Sequence, residues 1–253
     1  TNCFFMDLSE LSVLQKADTW FNQGDQVYLI TVLQSWGSSP RPVGAMAAIR
    51  NGRELIGSVS GGCVEEDLLA RIAAGDFSAT NPATCLYGET AEEQTRLRLP
   101  CGGRLNLLIE PISKDSGLKE MVAQLKQRQR FTKIINVQNG QTRQIESTPG
   151  CSFEFDSPIL KHPIGPDWQL YLVGASQVAA YLAEIARPLG YNTKVLEPRP
   201  EYAESWQPLE GLGSEKNNSA TYIASQTIDQ QCAIITLAHD PRVDDMALIE
   251  ALT

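Results

Sequence analysis

The chain has 253 residues, 42% of them hydrophobic and 20% charged, and a formal net charge of −9. That acidic balance excludes the clustered Lys and Arg footprint needed for nucleic acid or an anionic membrane surface, leaving small-molecule or protein partners. No apolar run approaches the ~18 residues that span a bilayer, and the start TNCFFMDLSE lacks the basic region and apolar core of a signal peptide, so a cytoplasmic protein of two ordinary domains is expected.

In chain order, residues 7–24 place Leu8, Leu11, Leu14, Ala17 and Phe21 near helical spacing, with Ser9 as cap and Gly24 as stop. QVYLITVLQS (26–35) reads as a buried strand leading into the turn-rich loop WGSSPRPVG. Asn51 and Gly52 lie between two apolar runs, the pattern of a tight hairpin. From Val64 to Ile72 the apolar residues Val64, Leu68, Leu69 and Ile72 share a helical face, with Glu65, Glu66 and Asp67 in the first turn, where acids complement the helix dipole. Cys63 therefore stands at a helix N-terminus behind Gly61 and Gly62, and Cys101 precedes Gly102, Gly103 and a strand over 105–110. A helix (118–129) and a hairpin (132–146) follow. The stretch 148–167, rich in proline, reads as the linker between a domain over 1–147 and one over 168–253. The second domain opens strand, glycine turn, helix, strand, acid, a βαβ unit of the dinucleotide-binding kind, and residues 232–252 repeat the strand–turn–helix order. The fold class expected is an α+β N-terminal domain followed by a Rossmann-like α/β domain with a parallel sheet.

The six cysteines, at 3, 63, 85, 101, 151 and 232, form no closely spaced pair, so neither a zinc knuckle nor a disulfide framework is indicated, and His162 and His239 alone do not make a histidine-rich metal site. A thiol at a glycine-bounded helix N-terminus has a lowered pKa and suits nucleophilic, sulfur-transfer or soft-ligand roles; alternatively Cys63 simply fills space under a tight turn. Ser38, Ser39 and Arg41 are types that hold phosphate or carboxylate, or they belong to a solvated proline loop. In GASQVA, Gly174 supplies the tight turn, but Ser176 stands where a second glycine normally admits a pyrophosphate. Glu197 ends the next strand as a ribose-binding acid would, or pairs at the surface with Arg199. His239 and Asp240 follow a strand at the carboxyl end of the sheet, where ligands of such folds sit.

WGSSPRPVGA, GSVSGGCVE, LPCGGRL, YLVGASQVA and HDPRVDDMAL, in that order from about Val27 to the end, resemble the xanthine dehydrogenase accessory proteins of the XdhC/CoxI family. The resemblance implies molybdenum-cofactor (molybdopterin) binding, maturation and insertion for a xanthine dehydrogenase-type molybdoenzyme, alongside a cysteine desulfurase: an accessory role more than that of a turnover enzyme. It implies a cofactor site at Arg41, Gly61, Gly62, Cys63, Cys101, Gly102 and Gly103, with Cys63 and Cys101 as molybdenum or sulfur contacts and Arg41 as anion clamp. The competing expectation is an NAD(P)-dependent oxidoreductase using the second domain, with Gly174, Ser176, Glu197 and His239 around the cofactor and His239 or Cys63 as acid or nucleophile; Glu197 argues for it and Ser176 against it. Family members usually continue beyond the last helix with a further strand. A shortened sheet would leave an edge that a second copy covers, making a homodimer.

Overall fold

The computed structural model describes residues 9–37, 41–62, 64–97, 103–147, 151–206 and 214–253. They fall into two compact units, Thr1–Pro166 and Asp167–Thr253.

In the first unit, α1 (Glu10–Asn22) starts where Ser9 accepts the Ser12 N–H, and buries Val13, Leu14, Ala17 and Trp20. Strand β1 (Val27–Trp36) is central. Around it β2 (Met46–Arg50), β3 (Glu54–Gly57), β4 (Ala83–Tyr87) and β5 (Arg104–Pro111) form an antiparallel sheet in the order β3-β2-β1-β5-β4. Asn51 and Gly52 take left-handed φ values of 51° and 63° in the β2–β3 turn, as the hairpin pattern predicts. Both faces of β1 are covered, which explains its nearly continuous apolar sequence. On one face, Ile30, Val32 and Leu107 pack against Val64, Leu68 and Ile72 of and beside α2 (Glu65–Ala74). On the other, Leu29 and Ala48 meet Leu14 of α1 and Met121 and Leu125 of α4 (Leu118–Lys126). Helix α3 (Ala91–Arg96) joins β4 to β5.

A second antiparallel sheet, β7-β6-β9-β8, is built from β6 (Phe131–Asn136), β7 (Thr142–Glu146), β8 (Glu154–Asp156) and β9 (Ile159–Ile164). This corrects the linker expected over 148–167, because residues 154–164 belong to the sheet. Pro158 sits in the turn between β8 and β9. Pro163 sits on β9 beyond the last residue that β8 pairs, Lys161, where a missing N–H breaks no ladder. Of the four prolines only Pro166 marks the division between units, and Pro149 lies outside the described residues.

Between the two sheets Lys133 of β6 donates to Glu110 of β5 at 2.5 Å, both side chains being buried. Directly opposite Lys133, His162 of β9 is also buried, and burial, helped by the Lys133 charge, pushes its imidazole down to about 3. The neutral ring makes its 3.9 Å approach to Glu10 no ion pair. An unfolded chain protonates this histidine near pH 6.5 while the folded one does not. Stability is therefore complete above pH 6.5 and declines as pH falls, at up to about 1.4 kcal/mol per pH unit. Urea melts between pH 7 and 5 are expected to show that slope in the wild type and to lose it in His162→Gln.

In the second unit, β10 (Gln169–Val173), α5 (Gln177–Ala186), β11 (Asn192–Leu196), α6 (Pro200–Ser205), β12 (Ser214–Glu215), α7 (Ser219–Ala224), β13 (Cys232–Thr236) and α8 (Pro241–Ala251) follow in order. The strands form a parallel sheet, β12-β11-β10-β13. Leu172 and Val195 pack on Ala179 and Ala183 of α5 on one face, and Val173 and Leu196 on Ile223 and Ala247 of α7 and α8 on the other. The strand order reverses between β10 and β13, the switch point where ligands of such sheets usually sit. Among the described residues no helix is long and apolar enough to cross a membrane.

Candidate functional site

Strand direction decides which loops of the first unit can cooperate. Both β1 and β3 run antiparallel to β2, and both β1 and β4 run antiparallel to β5. The loops that follow β1, β3 and β4, and the chain entering β5, therefore all lie at one end of the sheet. Arg41, Gly61, Gly62 and Gly103 are at that end. Cys63, Cys101 and Gly102, like Ser38 and Ser39, lie outside the described residues. Arg41 is tied to the β3–α2 loop, its Nε donating to the Ser58 carbonyl at 3.1 Å. Gly61 and Gly62 have φ values of 81° and 117°, and a side chain on Gly62 would meet open space, so backbone conformation alone demands glycine there. The Gly103 carbonyl lies so close to Gly88 that a Cβ at 88 would come within 2.5 Å of it.

A helix N-terminus behind two glycines should offer free amides to an anion; here Glu65 takes them instead. Its buried carboxylate turns back into the loop, Oε1 accepting from Ser58 Oγ and the Val59 and Ser60 amides at 2.8–2.9 Å. Oε2 accepts from Ser60 Oγ, from the Gly62 amide at 3.0 Å and from the Val64 amide at 3.3 Å. Burial alone would raise this carboxyl, but the Ser60, Ser58 and Val59 hydrogen bonds outweigh it and hold it at about 2. The only sequence signal for this is the pair Ser58 and Ser60 ahead of a first-turn glutamate. Sequence reasoning groups Glu65 with its neighbours as a dipole acid and misses its inward turn. The flank of α2 is fixed by Tyr87 of β4, whose hydroxyl donates to Asp67 and accepts from Arg71, while Arg71 also reaches Cys85 Sγ at 3.0 Å.

The second unit repeats the device. Gly174, at φ 107°, lies so close to the chain after β13 that a Cβ would come within 2.5 Å of the Ala238 nitrogen. Ser176 caps α5 by accepting the Ala179 amide at 3.2 Å. Glu197 pairs with Arg199, as one sequence reading expected, but it is fully buried and not at the surface. Both its oxygens bind the Arg199 guanidinium at 2.8 Å, and it also accepts the Ala175 and Arg199 amides. Burial raises this carboxyl, yet Arg199 and Ala175 leave it below the ordinary carboxylate range. Arg199 continues to the Ala238 carbonyl at 3.2 Å, and His239 stands exposed beside it with a left-handed φ of 55°. The residues do not fit a dinucleotide. The Ala175 and Ala179 amides are engaged, Ser176 brings a Cβ to the place of a glycine, and Glu197 has no oxygen left for a ribose. Among the described residues no group of three or more His, Cys, Asp and Glu could hold a metal ion.

A unit of two antiparallel sheets, with a Gly-Gly loop at the end of the five-stranded one, is joined in sequence to a parallel-sheet unit with an occluded glycine turn, and both parts of the chain match known families. Residues 20–80 match the XdhC and CoxI family and residues 170–253 the XdhC Rossmann domain. The chain belongs to the XdhC/CoxI family. Similar curated proteins include the molybdenum cofactor insertion chaperone PaoD of Escherichia coli strain K12, 23% identical over 93% of this chain and 66% of PaoD. Another is a probable xanthine dehydrogenase subunit of Bacillus subtilis strain 168, 24% identical over 74% of this chain and 64% of that protein. The chain thus spans about two thirds of these relatives' length at most. A crystal structure described as a xanthine dehydrogenase from Bacillus halodurans shares the fold, with a TM-score of 0.72 at 20% identity over 96% of this chain and 78% of that one.

Proposed function

We propose that this protein binds the molybdenum cofactor and delivers it to a xanthine dehydrogenase-type molybdoenzyme in the cytoplasm, receiving sulfur through a cysteine desulfurase and working as a homodimer. The observation that carries this reading is topological: strand direction gathers Arg41, the Gly61-Gly62 loop and Gly103 at one end of the central sheet. The cargo has a phosphate for the Arg41 guanidinium and a dithiolene-bound molybdenum for a soft ligand, roles assigned to Cys63 first and Cys101 second. The name of the PaoD relative, an insertion chaperone for this cofactor, supports the same role. β13 forms one edge of the parallel sheet with Ile235 exposed, which suits pairing with a second copy.

Purified protein mixed with molybdenum cofactor and passed through gel filtration is expected to retain stoichiometric molybdenum, and Cys63→Ala to lose it while melting at the wild-type temperature. Equal retention by both would remove Cys63 from the site, and no retention by folded wild type would reject the carrier role.

A further inference from the structure

Strand β1 is buried along its first seven residues and opens at its end, where Gln34 and Trp36 are exposed. Across the ladder, Asn106 pairs with Gln34 and Arg104 with Trp36, so these four side chains share one face at the end where the loops gather. The Arg104 guanidinium lies over the indole, 5.2 Å from its centroid, and Trp36 keeps 39% of its surface exposed. Asn106 Nδ2 donates to Gln34 Oε1 at 3.1 Å. That bond leaves Asn106 Oδ1 as an acceptor and Gln34 Nε2 as a donor without a partner among the described residues. Arg104 likewise has no carboxylate partner among them, although the chain's net charge is −9. A flat aromatic surface, an adjacent donor–acceptor pair and an unneutralised cation match a planar heteroaromatic ring with amide-like edges and an anionic substituent.

We infer that Trp36, Arg104, Gln34 and Asn106 form a stacking platform for the pterin ring of the cargo, an inference that rests on the carrier reading above. The indole supports the ring, the amide pair reads its hydrogen-bonding edge, and Arg104 adds cation–π contact and charge.

The test titrates wild type, Trp36→Ala, Trp36→Phe and Arg104→Met with pterin-6-carboxylate, followed by pterin fluorescence, and measures molybdenum-cofactor retention in parallel. Wild type is expected to bind the probe, Trp36→Ala to weaken it about tenfold or more, and Trp36→Phe to retain most of the affinity. Arg104→Met, at an exposed position, is expected to weaken it several-fold even if Trp36→Ala proves unstable. Cofactor retention that is equal in wild type, Trp36→Ala and Arg104→Met overturns the platform and leaves the carrier role standing. Probe binding that depends on Trp36 without cofactor retention upholds a pterin platform and overturns the carrier role. Binding of neither overturns both.

Discussion

Glu65→Gln is expected to destabilise the first unit by about 2–4 kcal/mol, because a carboxylate accepting from two serine hydroxyls and four backbone amides is replaced by a group with one acceptor oxygen. The new NH₂ group would face the Gly62 or the Val59 and Ser60 amides, donor against donor, with little water to relieve it. In a unit of this size such a loss corresponds to roughly 5–12 °C in Tm. The charge carries its own pH signature. The carboxyl titrates at about 2 when folded and near its ordinary 4.5 when unfolded, so its contribution is complete above pH 4.5 and disappears as pH falls toward 2. Denaturant melts from pH 6 to 3 are expected to steepen below 4.5 in wild type and to lose that component in Glu65→Gln. A variant as stable as wild type at pH 7 would mean the carboxylate does not hold the loop.

Lys133→Met is expected to cost about 3–5 kcal/mol, since it leaves Glu110 buried and charged with its cation gone. The double variant Lys133→Met with Glu110→Leu is expected to return to within about 1 kcal/mol of wild type, because an apolar pair of similar volume avoids the desolvation of both ions. The two unfolding measurements together separate the pair's net worth from the penalty of orphaning one member. If the double variant remains as unstable as the single, the site's volume and not its charge governs the loss. Lys133 also faces His162, so the single variant is expected to raise the imidazole's folded pKa and shorten the acid slope described above, which still begins near pH 6.5 but levels off at a higher pH.

Much of this architecture is legible along the chain where periodicity is local. The first helix, the Asn51-Gly52 hairpin, and the β10–α5–β11 unit follow from apolar spacing, a cap and a turn residue. The linker expected over 148–167 fails for a physical reason: prolines signal breaks, whereas β8 is so short that β9 tolerates Pro163 past its partner's end. β4 and α3 give almost no local signal, since ATCLY alternates weakly after a proline and the six-residue helix carries no buried face. At the site, Gly61, Gly62 and Gly174 mark left-handed turns, whereas Gly103 does not. The partners of Glu65 and Glu197 stay hidden because a carboxylate that turns inward looks the same in sequence as one that faces water. Lys133 and Glu110 meet across two sheets, and no spacing predicts such a pair. Trp36 reads as the start of a loop because nothing local says that the strand face uncovers there.

The inward carboxylates also set what the two glycine turns ignore. Ordinary loops of this shape collect whatever small oxyanion is abundant, because their amides wait unoccupied. Here each turn carries its own counter-ion on a tether of a few residues, so a stray phosphate, sulfate or nucleotide must displace a competitor that never diffuses away. Negative charge by itself then gains little at either turn. Such self-liganded turns let a scarce guest be distinguished from the far commoner anions that surround it.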